Sequence, residues 1–180
     1  MNVEDELQQL ARDRESATQA VLRGMRFEPD HLRRQLRQYL SRQVEHGRMK
    51  RLDDRVPQLT RARDDLYKLA CPDVEFSNGG RLLFNIQLEE NQRAWILGGF
   101  EFHLHLPHSR KIRIELNSEV SHDPLRVPRC HFHLDDWPTH IPFPIMHPRL
   151  VLSLICEHIE PDLGVPEDHK GAGRKTRHTP

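Results

Sequence analysis

Thirteen of the 180 residues are histidine, and where they fall says more than how many there are. His103 and His105 alternate with Phe102, Leu104 and Leu106, and His131 and His133 alternate with Cys130, Phe132 and Leu134. A period of two puts each histidine pair on the strand face opposite its apolar neighbours. Asp135 continues the second pair, and His140 and His147 follow within a proline-rich run. Imidazole titrates near neutral pH and binds divalent metals when neutral. His131, His133, Asp135, His140 and His147 are therefore the candidate catalytic residues, as a metal-assisted or a metal-free acid–base set. His131, His133 and His140 are the expected ligands, and a divalent metal such as zinc is the expected cofactor. Cys156 is the candidate nucleophile, although its place in an apolar helical run predicts burial, where a thiol is usually inert packing. The sequence has no His-Glu-x-x-His pair, phosphate loop, nucleophile elbow or dinucleotide fingerprint, which excludes those enzyme classes.

The elements that position these residues follow from apolar spacing. Alternation predicts strands over residues 82–88, 100–106, 112–116 and 130–134, with Gly98-Gly99 as a turn between the first two. Their short connections imply an antiparallel meander of four to five strands. Arg113 and Glu115 then lie between the two histidine pairs, which stand roughly 10 Å apart across the sheet. The Arg113 charge opposes a cation shared by all four. Upstream, Val3, Leu7, Leu10, Ala17, Ala20 and Val21 mark one amphipathic helix ending near Gly24. Leu32, Leu36, Tyr39, Leu40 and Val44 mark a second, opened by Pro29. Leu59, Ala62, Leu66 and Leu69 predict a third, from Pro57 to Cys71-Pro72. Residues 137–148 hold four prolines and predict irregular chain, with Pro148 opening a last, apolar helix.

The expected fold class is therefore α+β, with an N-terminal helical hairpin and an antiparallel meander packed on flanking helices. The expected organisation is a helical extension over 1–56, an α+β domain over 57–163 and a disordered tail over 164–180.

Composition narrows the setting. Basic and acidic residues balance at 27 each, so no global charge directs the chain to a polyanion or a membrane. Locally, Arg33, Arg34 and Arg37 on the second helix are candidate nucleic-acid phosphate contacts, while Asp30, Asp53 and Asp54 among them fit an ordinary solvated face. No apolar run reaches membrane-span length, and the start of the chain lacks the basic and apolar regions of a signal peptide. Three cysteines at spacings that match no zinc motif read as free thiols, so a cytoplasmic location is expected. The apolar stripes of the first two helices predict a protein partner or self-association.

Two resemblances add expectations. LTRARDDLYKLACPDVEFSNGG (59–80) resembles the first helix and following strand of ubiquitin-conjugating enzymes and related RWD domains, and WILGGFEFHLHLP (95–107) resembles their Gly-Gly-aromatic strand. Pro124 and Pro128 match the spacing of that family's proline turn, and His147-Pro148 followed by Cys156 is similar to its His-Pro-Asn and active cysteine. Over residues 57–160 this implies that fold, acting in protein modification or as an interaction scaffold. Arg149 stands where the family has asparagine, and Asp123 where it has tyrosine, which turns the expectation towards the scaffold. The second resemblance is to small histidine-rich toxins of bacterial toxin–antitoxin pairs, carried by His-x-His, Asp135 and the proline-rich histidine loop. It implies a histidine-dependent hydrolase or nuclease.

Overall fold

A computed structural model describes residues 3–118, 127–135 and 137–160. Helix α1 (Val3–Gly24) and helix α2 (Pro29–Glu45) form where apolar residues recur at three and four. A two-residue strand, β1 (Arg26–Phe27), separates them. The Glu28 carboxylate accepts from the backbone N–H groups of Asp30 and His31, and Pro29 fills the first turn of α2.

Where a third helix was expected, the chain forms a hairpin of β2 (Gln58–Arg63) and β3 (Leu66–Glu75). Asp64-Asp65, a turn pair, joins its arms. The three- and four-residue apolar spacing has a different cause from helical periodicity: Leu59 and Ala62 lie on β2, with a register shift between Arg61 and Arg63, and Leu66 and Leu69 lie on β3, so the spacing runs across a hairpin. Leu66, Leu69, Cys71 and Val74 are the buried positions of β3, which has its own bulge between Cys71 and Val74. Pro72 is tolerated because it sits in that bulge rather than ending a helix. Eight paired positions with the next strand outweigh weak helical propensity.

The expected strands are present as β4 (Arg81–Asn91), β5 (Ala94–His105), β6 (Lys111–Leu116) and β7 (Cys130–Leu134). A two-residue β8 (Ile141–Pro142) extends the edge. All neighbours pair antiparallel in the order β2-β3-β4-β5-β6-β7-β8, with β1 against β5. The sheet thus has eight strands rather than four or five. Gly98 and Gly99 lie inside β5 and are not a turn. A Cβ on Gly98 would come within 2.5 Å of the Glu89 carboxylate, where the β4–β5 register shifts. The turn is Gln92-Arg93, both at positive φ.

Leu22 of α1, Leu32, Leu36 and Leu40 of α2, and Val151, Leu152, Ile155 and Cys156 at the C-terminal end share one core with the apolar face of the sheet. Those C-terminal residues lie on helix α3 (Pro148–Leu154), which continues as a π-helical turn, Ile155–Ile159. The structure shows each helix but does not establish α1 and α2 as a paired hairpin. Residues 161–180, including the expected tail, lie outside the described residues, as do Asp123 and Pro124. No helix among the described residues is long and apolar enough to cross a membrane. The helices pack on the apolar face, and the histidines of β5 and β7 lie on the opposite one.

Candidate metal centre

Strand pairing sets the site. In the β5–β6–β7 register, Glu101 lies opposite Glu115 and Glu115 opposite His131, while His103 lies opposite Arg113 and Arg113 opposite His133. All six therefore stand on the polar face. The proline-rich segment after β7 folds back so that Pro142 pairs with His131, and this return brings His140 over the strand.

The rings of His131, His133 and His140 lie 4.4–4.9 Å apart, centroid to centroid. Each offers one nitrogen to a group whose ligand atoms all lie within 4.8 Å of one another. A zinc–imidazole bond is about 2.0–2.1 Å, so an ion between three nitrogens at this separation needs only small side-chain adjustment. His131 is 1% and His133 4% exposed, while His140 is half-buried and leaves one side of the cluster open.

The surroundings fix the ring states. His131 Nδ1 lies 2.6 Å from the Pro128 carbonyl, which only accepts, so Nδ1–H donates and Nε2 carries the lone pair in the neutral ring. That Nε2 faces Glu115 Oε2 at 3.3 Å, and His133 Nε2 lies 3.9 Å from the same oxygen. Nε2 donates to Glu115 only when the His131 ring carries both protons, and that hydrogen bond holds the Glu115 carboxyl below its ordinary value, against the opposing effect of burial. Burial, followed by the Arg113 charge, pushes the pKa of His133 down. Burial and then the His131 charge do the same for His140. Both shifts favour the neutral, metal-binding imidazole. His133 Nδ1 is buried with no hydrogen-bond partner among the described residues, a cost of about 1–3 kcal/mol that coordination through this ring can offset.

The remaining candidates are elsewhere. Asp135 adopts a positive φ that breaks the alternation. Its carboxylate accepts from the Lys111 backbone N–H at 2.8 Å and faces Arg110 at 3.8 Å, so it closes the end of the β6–β7 ladder. His147 is the N-cap of α3: its Nδ1 accepts from Arg149 N–H at 3.1 Å, and burial lowers its pKa. Cys156 is 0% exposed, and burial pushes its thiol pKa up, the opposite of an activated nucleophile. On α2, Arg33 pairs with Asp30 at 3.4 Å and Arg34 with Glu28 at 3.6 Å. Arg37 holds Asp54 and the Val56 carbonyl, which ties the 53–56 loop to the helix. Arg37 thus staples that loop, while the ion pairs of Arg33 and Arg34 face solvent.

Of the expected metal ligands, all three converge. Glu115 is the member that sequence reading did not assign. It was legible as a polar-face residue between the histidine pairs, but its role depends on the register that puts it opposite His131.

Compared with known protein families, curated proteins and solved structures, the chain matches none.

Proposed function

We propose that the chain is a metal-dependent hydrolase whose centre is His131, His133 and His140, with Glu115 as the general base. The observation that carries this reading is three imidazole nitrogens within 4.8 Å of one another, with the Glu115 carboxylate 3.3 Å from one of them. Three protein ligands and one open side are the arrangement of hydrolytic zinc sites, whereas structural sites are closed by a fourth ligand. A divalent ion in such a site supplies Lewis acidity and an acidified water. Glu115 accepts the proton of the attacking water. Arg113, 3.4 Å from Glu115 Oε1, keeps that carboxylate ionised and oriented.

The test compares hydrolysis of an activated phosphodiester and an activated ester by the protein as purified, after chelation, and after zinc or manganese is restored. The expected result is loss on chelation and recovery with metal. Glu115→Gln should lower the rate by about 10²–10⁴-fold while keeping its metal. Activity indifferent to chelation, or a Glu115→Gln variant as fast as the parent, contradicts the reading.

A second reading is a ubiquitin-conjugating/RWD-like scaffold without conjugating activity. Residues 59–71, matched to that family's first helix, form β2 and β3 instead, so the reading rests on the buried Cys156 and on the exposed Leu7, Leu10 and Val21 of α1. A scaffold of this kind that self-associates sediments as a dimer, and Leu10→Glu returns it to a monomer. A monomeric parent protein removes the self-associating form of this reading.

A further inference from the structure

One charged side chain beside the histidine cluster is almost wholly enclosed. Arg129, the residue before β7, is 9% exposed, and a guanidinium so enclosed is costly unless its charge and its N–H groups are met. They are met from two sides. Nε donates to the Asn117 carbonyl at 2.9 Å, and Nη2 donates to the Ser118 carbonyl at 3.0 Å. Nη1 reaches Glu15 Oε1 of α1 at 3.3 Å, across 114 residues of sequence. Gln19, one turn further along α1, donates to the same carboxylate oxygen at 3.1 Å. The main chain joins in: Asn117 N–H donates to the Arg129 carbonyl at 2.9 Å, one step beyond the Leu116–Cys130 pair of the ladder. Several donors in a fixed fork suit arginine to tying carbonyls and a carboxylate together in this way.

What this network holds is next to the metal centre. The Pro128 carbonyl accepts from His131 Nδ1 at 2.6 Å, the contact that leaves the Nε2 lone pair for the cluster. That carbonyl shares a rigid peptide plane with Arg129. Proline has no N–H of its own to anchor, so the direction of the Pro128 carbonyl depends on how Arg129 is fixed. On the α1 side the tie is narrow. Ala11 and Leu22 are the buried hydrophobic residues of α1 among those described, and residues 5–10 are exposed. We infer that Arg129 is a positioning residue of the metal centre: through the Pro128 carbonyl it holds the His131 ring in its ligating orientation, and Glu15 of α1 holds Arg129. The inference rests on the metal-centre reading and adds a control on it. Moving α1 away withdraws the carboxylate from a buried guanidinium, and the carbonyl that orients the ligand loses its support.

The experiment measures zinc affinity, by competition with a chromophoric chelator, for the parent, Arg129→Met, Glu15→Gln and Leu36→Ala, each confirmed as folded by circular dichroism. Long-range proton–nitrogen NMR spectra of the metal-free samples report which nitrogen of His131 carries the proton. Arg129→Met should weaken zinc binding by about 10–100-fold, the usual effect of losing an outer partner of a metal ligand. Glu15→Gln should weaken it in the same direction by a smaller factor. Leu36→Ala lowers stability without touching this network, so its zinc affinity should match that of the parent. His131 should be the Nδ1–H tautomer in the parent, and both tautomers should appear in Arg129→Met. Arg129→Met that binds zinc as the parent does, or that keeps the single tautomer, overturns the inference. So does Leu36→Ala weakened as much as Arg129→Met, since lost stability would then explain both. If Arg129→Met does not fold, Glu15→Gln keeps the shape of its side chain and is judged by the same two readings. Parent protein that binds no zinc overturns the metal centre itself, and the metal-free ring signals still decide whether Arg129 holds His131.

Discussion

At the scale of single residues, the centre depends on which nitrogen of each ring is free. The Pro128 carbonyl fixes His131 as the Nδ1–H tautomer, so the lone pair of Nε2 is presented to the cluster before any ion arrives. Outer hydrogen bonds of this type orient metal ligands. The pKa directions give a pH prediction for protein stripped of metal. His133 and His140 have folded pKa values below the ordinary histidine value. The folded state therefore takes up fewer protons than the unfolded chain as pH falls below about 6.5. Their effect on stability is absent above that value, grows as pH falls through it, and stops growing below the folded pKa values. Glu115 acts in a second window: its contribution is present above the ordinary glutamate value and lost as pH falls through its own lower one. Urea unfolding at about pH 7.5 and about pH 5.5 should show lower stability at the acid value, and His133→Asn should flatten that slope. An unchanged slope would mean that His133 does not titrate as its burial requires.

At the scale of elements, the parts legible in the sequence were those with clean alternation. The strands around Phe84, Phe102, Ile114 and Phe132 were readable because each has one apolar face, and the same alternation showed the histidines opposite. The hairpin of β2 and β3 was not readable. Its exposed outer strand buries no residue, and Leu59 and Ala62 on one arm with Leu66 and Leu69 on the other give a spacing across the turn that imitates a helix. The convergence of His140 was expected from sequence proximity, but its cause, the pairing of Pro142 with His131, is a long-range fact. Asp135 shows the converse. Its alternation with His133 was correct as a pattern and fails only because the backbone turns to positive φ there. Packing energetics belong at this scale. Leu36 of α2 is 0% exposed, and Leu36→Ala should cost about 2–5 kcal/mol of unfolding free energy in denaturant titration. A loss below about 0.5 kcal/mol, as for an ordinary surface substitution, would show that α2 does not pack on the sheet as described.

At the scale of the whole molecule, one core joins α1, α2, α3 and the apolar sheet face, and the opposite face carries the histidine cluster. Cys156, conspicuous in sequence, lies in that core, and the side chains of Arg33 and Arg34 face solvent on α2. On the proposed reading a bound ion would also be a structural influence: held by two residues of β7 and one from the following segment, it would pin that segment to the sheet. Ligand at 100-fold above its dissociation constant stabilises the folded state by about 2.7 kcal/mol, so zinc should raise the melting temperature of the parent and leave a ligand-deficient variant unmoved.

The most direct test of the central claim is metal content, by plasma mass spectrometry, of protein purified without a histidine tag, beside a His131→Ala/His133→Ala control confirmed as folded by circular dichroism. The account predicts about one divalent ion per chain in the parent, as expected of a single three-ligand site, and almost none in the control. Metal absent from the parent even after dialysis against zinc, or retained equally by the control, would contradict it.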